Sequence, residues 1–111
     1  MNVVSNATPL ISLATIEQMT LLSRLFGQIH IPRAVYHEVK SKKAPGYDEI
    51  DAPYIHVNDI QGTLYIGLLR PDLDRGEAEA IVLAKELQAE TLILDERTGY
   101  LIAKEQGLHV I

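Results

Sequence analysis

Apolar residues along the chain follow two alternating patterns. Short runs typical of β-strands are separated by longer segments in which apolar residues recur every three or four positions, as on one face of a helix. The strand-type runs cover residues 2–5, 28–31, 54–57, 91–94 and 109–111. Strands that alternate with helices are joined by crossover connections, and these favour parallel pairing. We therefore predict an α/β protein, a three-layer α/β/α sandwich with a short parallel sheet.

Helix start and stop signals divide the segments between these runs. Thr8 is the expected N-cap of the first helix, with Pro9 at its first helical position. A second helix is expected to end at Gly27, and Pro32 to open a third that runs to about Lys40. The pattern predicts further helices over residues 61–70, 74–88 and 96–106, and a surface loop over residues 41–53.

The composition is that of a globular domain and excludes several kinds of chemistry. The 111 residues are 47% apolar and carry a net charge of −5, and such a length predicts one domain over residues 1–111. The absence of cysteine excludes disulfides, zinc–thiolate centres and thiol nucleophiles, and it suits the reducing cytoplasm. No apolar run is long enough for a transmembrane helix, so no membrane partner is expected.

The charge balance also restricts how the protein could meet nucleic acid. A sequence pI of about 5.2 argues against a protein that coats nucleic acid, which is normally basic. It does not argue against an enzyme that meets nucleic acid through a metal ion and a small basic rim. Lys40, Lys42 and Lys43 are the candidates for such a rim, although solvated lysines are the more common case.

Four polar residues are expected to converge on one end of the sheet. Asn6 and Asp95 directly follow strand-type runs, and open parallel sheets hold their sites at the carboxyl ends of strands. Glu38 and Glu77 lie on the apolar stripes of their helices, where a carboxylate is costly unless it is paired or binds a metal. Glu79, two residues further on, is expected to point elsewhere.

Each of these residues also has a purely structural interpretation. Glu77 is suited to a capping box with Asp74, three residues before it. Glu38 could pair with Lys42 one helical turn later. The two residues that follow strands could cap the helices after them or form turns. The expected convergence of all four at one end of the sheet favours a joint functional role.

Four blocks of sequence resemble the PIN-domain family, and most closely its VapC-like branch. They are VVSNATPLISLA at 3–14, IHIPRAVYHEV at 29–39, LDRGEAEAIVLAKEL at 73–87 and LILDERTGYLIAKEQGLHV at 92–110. The third block carries the LDxGExEAI helix of a subgroup that is often described only as a domain of unknown function. The blocks stand in the expected order and cover nearly the whole chain. PIN domains are metal-dependent nucleases, and many are toxins of toxin–antitoxin pairs that cut RNA.

The resemblance implies a metal-dependent endoribonuclease that uses Mg²⁺ or Mn²⁺ to hydrolyse RNA. Its metal ligands and catalytic residues would be Asn6, Glu38, Glu77 and Asp95. The resemblance also implies an antitoxin protein as partner and a homodimer. The family's first acid is ordinarily Asp, and this branch often carries Asn there. Family members usually continue beyond the last strand, so a chain that ends at Ile111 is expected to be short at its C-terminus.

Two functions from other classes are compatible with the same residues. One is a catalytically weak or inactive PIN-like module that binds an antitoxin or nucleic acid, which Asn6 and the short C-terminus favour. The other is a phosphoacceptor signalling domain, but the residues after Asp95 lack the lysine pattern of such a domain. A metal-dependent RNA cleavage assay separates an enzyme from a binding module.

Overall fold

A four-stranded parallel sheet forms the centre of the computed structural model, which describes residues 2–62, 73–94 and 97–111. The strand order is β3-β2-β1-β4, and every strand pair is parallel. The strands are β1 Val3–Ser5, β2 Ile29–Pro32, β3 Ile55–Asn58 and β4 Thr91–Ile93. The predicted edge strand near residues 54–57 is therefore confirmed as β3.

Helices connect the strands and cover both faces of the sheet. Among the described residues the helices are α1 Ala7–Thr15, α2 Thr20–Phe26, α3 Arg33–Lys42, a 3-10 turn Glu49–Asp51, α4 Arg75–Glu86 and α5 Arg97–Glu105. None of the described helices is long and apolar enough to cross a membrane.

Two apolar cores lie on opposite faces of the sheet. Val3 and Val4 are adjacent in β1 and are both fully buried, but each belongs to a different core because successive strand residues point to opposite faces. The core around Val3 contains residues of α1, α2 and α3. The core around Val4 contains residues of α4 and α5. The predicted three-layer α/β/α sandwich is confirmed.

Helix α4 is buried on all sides near its start. Every residue from Gly76 to Ala84 is buried, and many of them are Gly or Ala. Small side chains let the helix axis come close to α3 and to strands β1 and β2, which α4 contacts. The same close approach carries two acidic residues of α4, Glu77 and Glu79, into the interior.

The predicted N-cap of the first helix is wrong. Helix α1 begins at Ala7, and its N-cap is Asn6, whose side chain accepts a hydrogen bond from the backbone N–H of Thr8. Asn6 thus takes the capping position two residues before the predicted one, and Pro9 falls within the first turn.

Two other boundaries differ from the sequence prediction. Helix α3 runs to Lys42 and ends at Lys43, which has a left-handed backbone with φ of 48°. The chain before Lys43 contains no helix breaker, whereas Pro45 disfavours helix at the residue before it.

The predicted final strand is reduced to a parallel bridge between Leu92 and Val110. Residues 61–62 are not helical, and the rest of the helix predicted over 61–70 lies outside the described residues.

Candidate acidic site

A small cavity of about 20 Å³ lies at the carboxyl end of β1, between α1, α3 and α4. Its walls are formed by Asn6, Ala7, Thr8, Glu38, Asp74, Gly76 and Glu77. Space of this size accommodates about one water molecule, so the polar groups around it surround a single small volume. The structure therefore brings together three of the four predicted site residues, Asn6, Glu38 and Glu77.

Asn6 is fixed at the end of β1 by its backbone and its side chain. Its N–H donates to the carbonyl of Ile93 over 3.1 Å, and its own carbonyl accepts from Ser5 Oγ over 2.9 Å. Its Oδ1 accepts from Thr8 N–H over 2.9 Å. The residue is 4% exposed. Asn6 is thus a helix cap and also a wall of the cavity, and its side-chain oxygen keeps a second lone pair for another donor or ion.

Asp74 and Glu77 form the N-terminal part of α4. Asp74 is the N-cap, and its Oδ1 accepts from the backbone N–H of Glu77 over 2.7 Å. This is the half of a capping box that the spacing predicted. The Glu77 side chain lies in the interior, and the residue is 7% exposed. Asp74, which the spacing predicts only as a cap, therefore adds a carboxylate to the cavity wall.

Glu38 reaches the cavity from α3. Its Oε1 would be 3.4 Å from a Cβ added to Gly76, so the carboxylate lies beside the glycine backbone at the start of α4. Its other oxygen, Oε2, is 3.6 Å from Lys42 Nζ, on a side chain that is 65% exposed. The alternative pairing of Glu38 with Lys42 is therefore observed. Glu38 makes this ion pair and also lines the cavity.

Asp95, the fourth predicted residue, lies outside the described residues. Its neighbour Leu94 follows β4, which pairs directly with β1. Among the described residues, no group of three or more His, Asp or Glu side chains stands at metal-binding geometry.

Glu79 lies in an environment that its position in the sequence does not predict. The side chain does point away from the apolar stripe, but it is not solvated, because the residue is 6% exposed. Its Oε1 accepts from the backbone N–H of Ala34, over 3.3 Å, and its Oε2 from Arg75 Nε, over 2.8 Å. Glu79 thereby caps the N-terminus of α3, where the N-cap residue Pro32 offers no side-chain acceptor. The only sequence signal was Arg75, four residues earlier on the same helix.

A larger groove of about 720 Å³ opens beside the cavity and shares Glu38, Asp74 and Gly76 with it. Arg33 lines this groove, and its Nε donates to Asp59 Oδ1 over 2.6 Å. The hydrogen bond from Arg33 lowers the pKa of Asp59 below its usual value.

One of the three lysines of the predicted rim, Lys40, is held by other groups of the protein. Lys40 Nζ lies 2.6 Å from Asp51 Oδ2 and donates to the carbonyl of Tyr47. Its ammonium also stands 4.1 Å from the centre of the Tyr47 ring. The hydrogen bond from Lys40, with a second from Tyr36, lowers the pKa of Asp51. Lys40 therefore fastens the 3-10 segment to α3, and it is not a free cation of the rim.

The donor set around the cavity suits a hard divalent cation. The side chains of Asn6, Glu38, Asp74 and Glu77 offer only oxygen ligands, apart from one amide nitrogen, and Mg²⁺, Mn²⁺ and Ca²⁺ prefer oxygen. Glycine at position 76 leaves open the space beside Glu38 and Asp74 that a methyl group would enter. The described residues thus fit such an ion by the chemistry of their side-chain oxygens, while no three of the acids among them stand at metal-binding geometry.

The structure is a parallel sheet between two helical layers, with acidic residues at the carboxyl end of its first strand. A family model for DUF3368, a PIN domain, matches residues 2–111. The chain belongs to the PIN-domain family, as the four sequence blocks predicted. PIN domains generally depend on divalent metal ions and bind nucleic acid. Among curated proteins, none matches the chain.

Proposed function

We propose that the protein is a divalent-metal-dependent endoribonuclease of the VapC-like branch and the toxin of a toxin–antitoxin pair. The observation that carries this proposal is the cavity at the end of β1, where Asn6, Glu38, Asp74 and Glu77 meet in a PIN fold. The proposal treats residues 1–111 as one PIN-like domain that acts on RNA in the cytoplasm. It includes a homodimer and an antitoxin protein as partners.

The residues that would hold Mg²⁺ or Mn²⁺ are Glu38, Glu77, Asp95 and Asn6. When bound, such an ion supplies Lewis acidity toward phosphate and lowers the pKa of water. Glu38 and Glu77 contribute negative charge from two different helices, and Asn6 contributes a neutral carbonyl oxygen. The proposal adds Asp95, which follows β4 in the sequence, as a further carboxylate.

Other residues around the cavity hold these groups in place. Asp74 fixes the first turn of α4 through its hydrogen bond to the Glu77 N–H. Ser5 Oγ holds the carbonyl of Asn6, and Thr8 N–H holds its side-chain oxygen. These three hydrogen bonds, of which the one from Ser5 Oγ is buried, restrict the motion of the ligand-bearing backbone, which is the condition for a preorganised site.

Metal binding by the protein is tested by thermal unfolding with and without Mn²⁺. Because the folded acids bind the ion and the unfolded chain does not hold them together, Mn²⁺ should raise the melting temperature of the wild-type protein. Glu38→Gln and Glu77→Gln should abolish that rise. The matched control is Glu49→Gln, which removes one carboxylate from an exposed position outside the cavity and should keep it.

Catalysis is tested by incubating the protein with single-stranded and structured RNA in Mn²⁺. Glu38→Gln and Asp95→Asn should abolish cleavage, and Glu49→Gln should cleave like the wild type. Cleavage that persists in both site variants overturns the assignment. RNA binding by a wild-type protein that cleaves nothing would instead favour the non-catalytic PIN-like module.

The toxin assignment has its own measurement. Induced expression of the wild-type chain in bacteria should arrest growth, and the Glu38→Gln variant, made in equal amount, should not. Unimpaired growth on expression of a chain that cleaves RNA in vitro would remove the toxin role and leave the nuclease.

A further inference from the structure

Two arginines occupy equivalent positions beside the acidic cavity. Arg33 is the first residue of α3, and Arg75 is the first residue of α4. Both line the groove of about 720 Å³ that opens next to the cavity. The groove has the volume of a ligand-binding pocket, and it shares Glu38 and Gly76 with the cavity, so a molecule in it reaches the acids.

Each arginine is oriented by one carboxylate through the same atom. Arg33 Nε donates to Asp59 over 2.6 Å, and Arg75 Nε donates to Glu79 over 2.8 Å. Within the described part of the chain, neither guanidinium makes a hydrogen bond through its terminal amino groups. The two side chains are 49% and 69% exposed. Each guanidinium is therefore held by its Nε, while its terminal N–H groups remain open to the groove.

This arrangement suits the oxygens of an anion such as a phosphate. A guanidinium presents a planar fork of N–H donors that matches phosphate geometry, and fixing its Nε reduces the rotamer entropy lost on binding. Asp59 and Glu79 offset the two positive charges, so the arginines attract a polyanion only weakly by net charge. Glu38 and Asp74 make the cavity end of the groove negative until a divalent ion offsets them.

We propose that this groove holds the phosphates next to the cleaved bond of a nucleic acid strand, through the terminal amino groups of Arg33 and Arg75. The inference rests on the proposed nuclease function and extends it to the residues that bind the substrate backbone. It also implies that the strand binds well only when the acidic cavity carries a divalent ion, because the unneutralised acids repel phosphate.

The test measures binding of a short fluorescent oligouridine by anisotropy. Phosphorothioate linkages slow its cleavage, and a gel after each titration shows that it is intact. The oligouridine should bind more tightly with Ca²⁺, which takes the same oxygen ligands, than with EDTA. The dissociation constant is then measured against salt concentration in Ca²⁺.

Arg33→Gln is the decisive variant, because its partner Asp59 is largely exposed and tolerates the loss. The variant should weaken binding and reduce the slope of log K against log salt by about 0.7, the value for one phosphate contact on a single strand. Arg24→Gln is the matched control, since it removes the same charge from an exposed position on α2 outside the groove. It should leave the slope unchanged.

Arg75 needs a milder substitution, because its partner Glu79 is buried. Arg75→Lys keeps the charge and removes the fork, so it should weaken binding while the salt slope stays close to that of the wild type. The inference is overturned if Arg33→Gln and Arg75→Lys both bind the oligouridine with the same affinity and the same salt slope as Arg24→Gln.

The result separates this inference from the proposed function. Mn²⁺-dependent RNA cleavage by the wild type, with arginine variants that bind like the control, overturns the groove assignment and leaves the nuclease. Arginine-dependent binding by a protein that cleaves no RNA supports the groove assignment and overturns the catalytic proposal.

Discussion

The Glu38 carboxylate lies directly beside the backbone of Gly76. A Cβ added to Gly76 would stand 3.4 Å from Glu38 Oε1 and 3.6 Å from Asp74 Oδ1, which are ordinary contact distances. Glycine at this position therefore does not relieve a severe clash or a left-handed backbone. It keeps free the space between acidic side chains that belong to α3 and to the start of α4.

Replacing Gly76 by alanine should separate stability from metal binding. Alanine favours helix over glycine by up to about 1 kcal/mol, so the free energy of unfolding without metal should be unchanged or higher. The added methyl group occupies the space beside Glu38 and Asp74, so the rise in melting temperature caused by Mn²⁺ should shrink. Urea unfolding and thermal unfolding with Mn²⁺ measure the two effects, and an undiminished Mn²⁺ response would show that this space is not used.

Asn6 is a cap whose charge can be changed without loss of the cap. Asp caps helices about as well as Asn, so Asn6→Asp should keep the bond from Thr8 N–H while it adds a buried charge near Glu38 and Glu77. The variant should be less stable without metal and should need less Mn²⁺ for half-maximal cleavage. Identical Mn²⁺ titrations for the two proteins would remove Asn6 from the proposed site.

Removal of the Asn6 cap has a different expected result. Asn6→Ala loses the side-chain acceptor and should lower the free energy of unfolding by about 1 kcal/mol, with or without metal. Urea unfolding of both variants without metal compares the lost cap with the added charge.

Glu79 should contribute to stability through its hydrogen bonds to another helix. Glu79→Ala removes the acceptor for Ala34 N–H and the partner of Arg75, and it should lower the free energy of unfolding by about 1–3 kcal/mol. Glu79→Gln keeps a carbonyl for Ala34 and should cost less. The control Glu90→Ala, at an exposed position, should stay within about 0.5 kcal/mol of the wild type in urea unfolding.

His30 should make the protein less stable in mild acid. Burial, assisted by the neighbouring His56, lowers the pKa of His30, although the hydrogen bond with Asn58 opposes this shift. Because the folded pKa is lower than the unfolded value of about 6.5, the unfolded chain binds the proton first as pH falls. The free energy of unfolding should therefore decrease between about pH 7 and about pH 5.

The histidine effect is measured by urea unfolding of two variants at both pH values. His30→Gln should reduce the loss of stability in acid, and the exposed His37→Gln should retain it. If the free energy of unfolding falls equally in acid for His30→Gln and for the wild type, the pH dependence comes from other groups.

The amino-acid sequence alone determined the layered fold and much of the acidic cavity. Short apolar runs between helical patterns predict a parallel sheet, because strand and helix periods are local properties of the chain. The same periods place Glu38 and Glu77 on core-facing stripes and Asn6 at a strand end, and these three residues meet in the structure. One boundary differs because two residues of similar propensity compete for one position, so that the cap is Asn6 instead of Thr8.

Only the tertiary structure decided where the remaining charges lie. The spacing places Glu79 off the apolar stripe, yet α4 is buried from Gly76 to Ala84. The Glu79 carboxylate accepts a hydrogen bond from Ala34, 45 positions away in sequence. Arg33 and Arg75 lie far apart along the chain and line one groove because α3 packs against α4. Such contacts depend on how closely two helices approach, which is set by the small residues of α4 and by packing in three dimensions rather than by any local pattern.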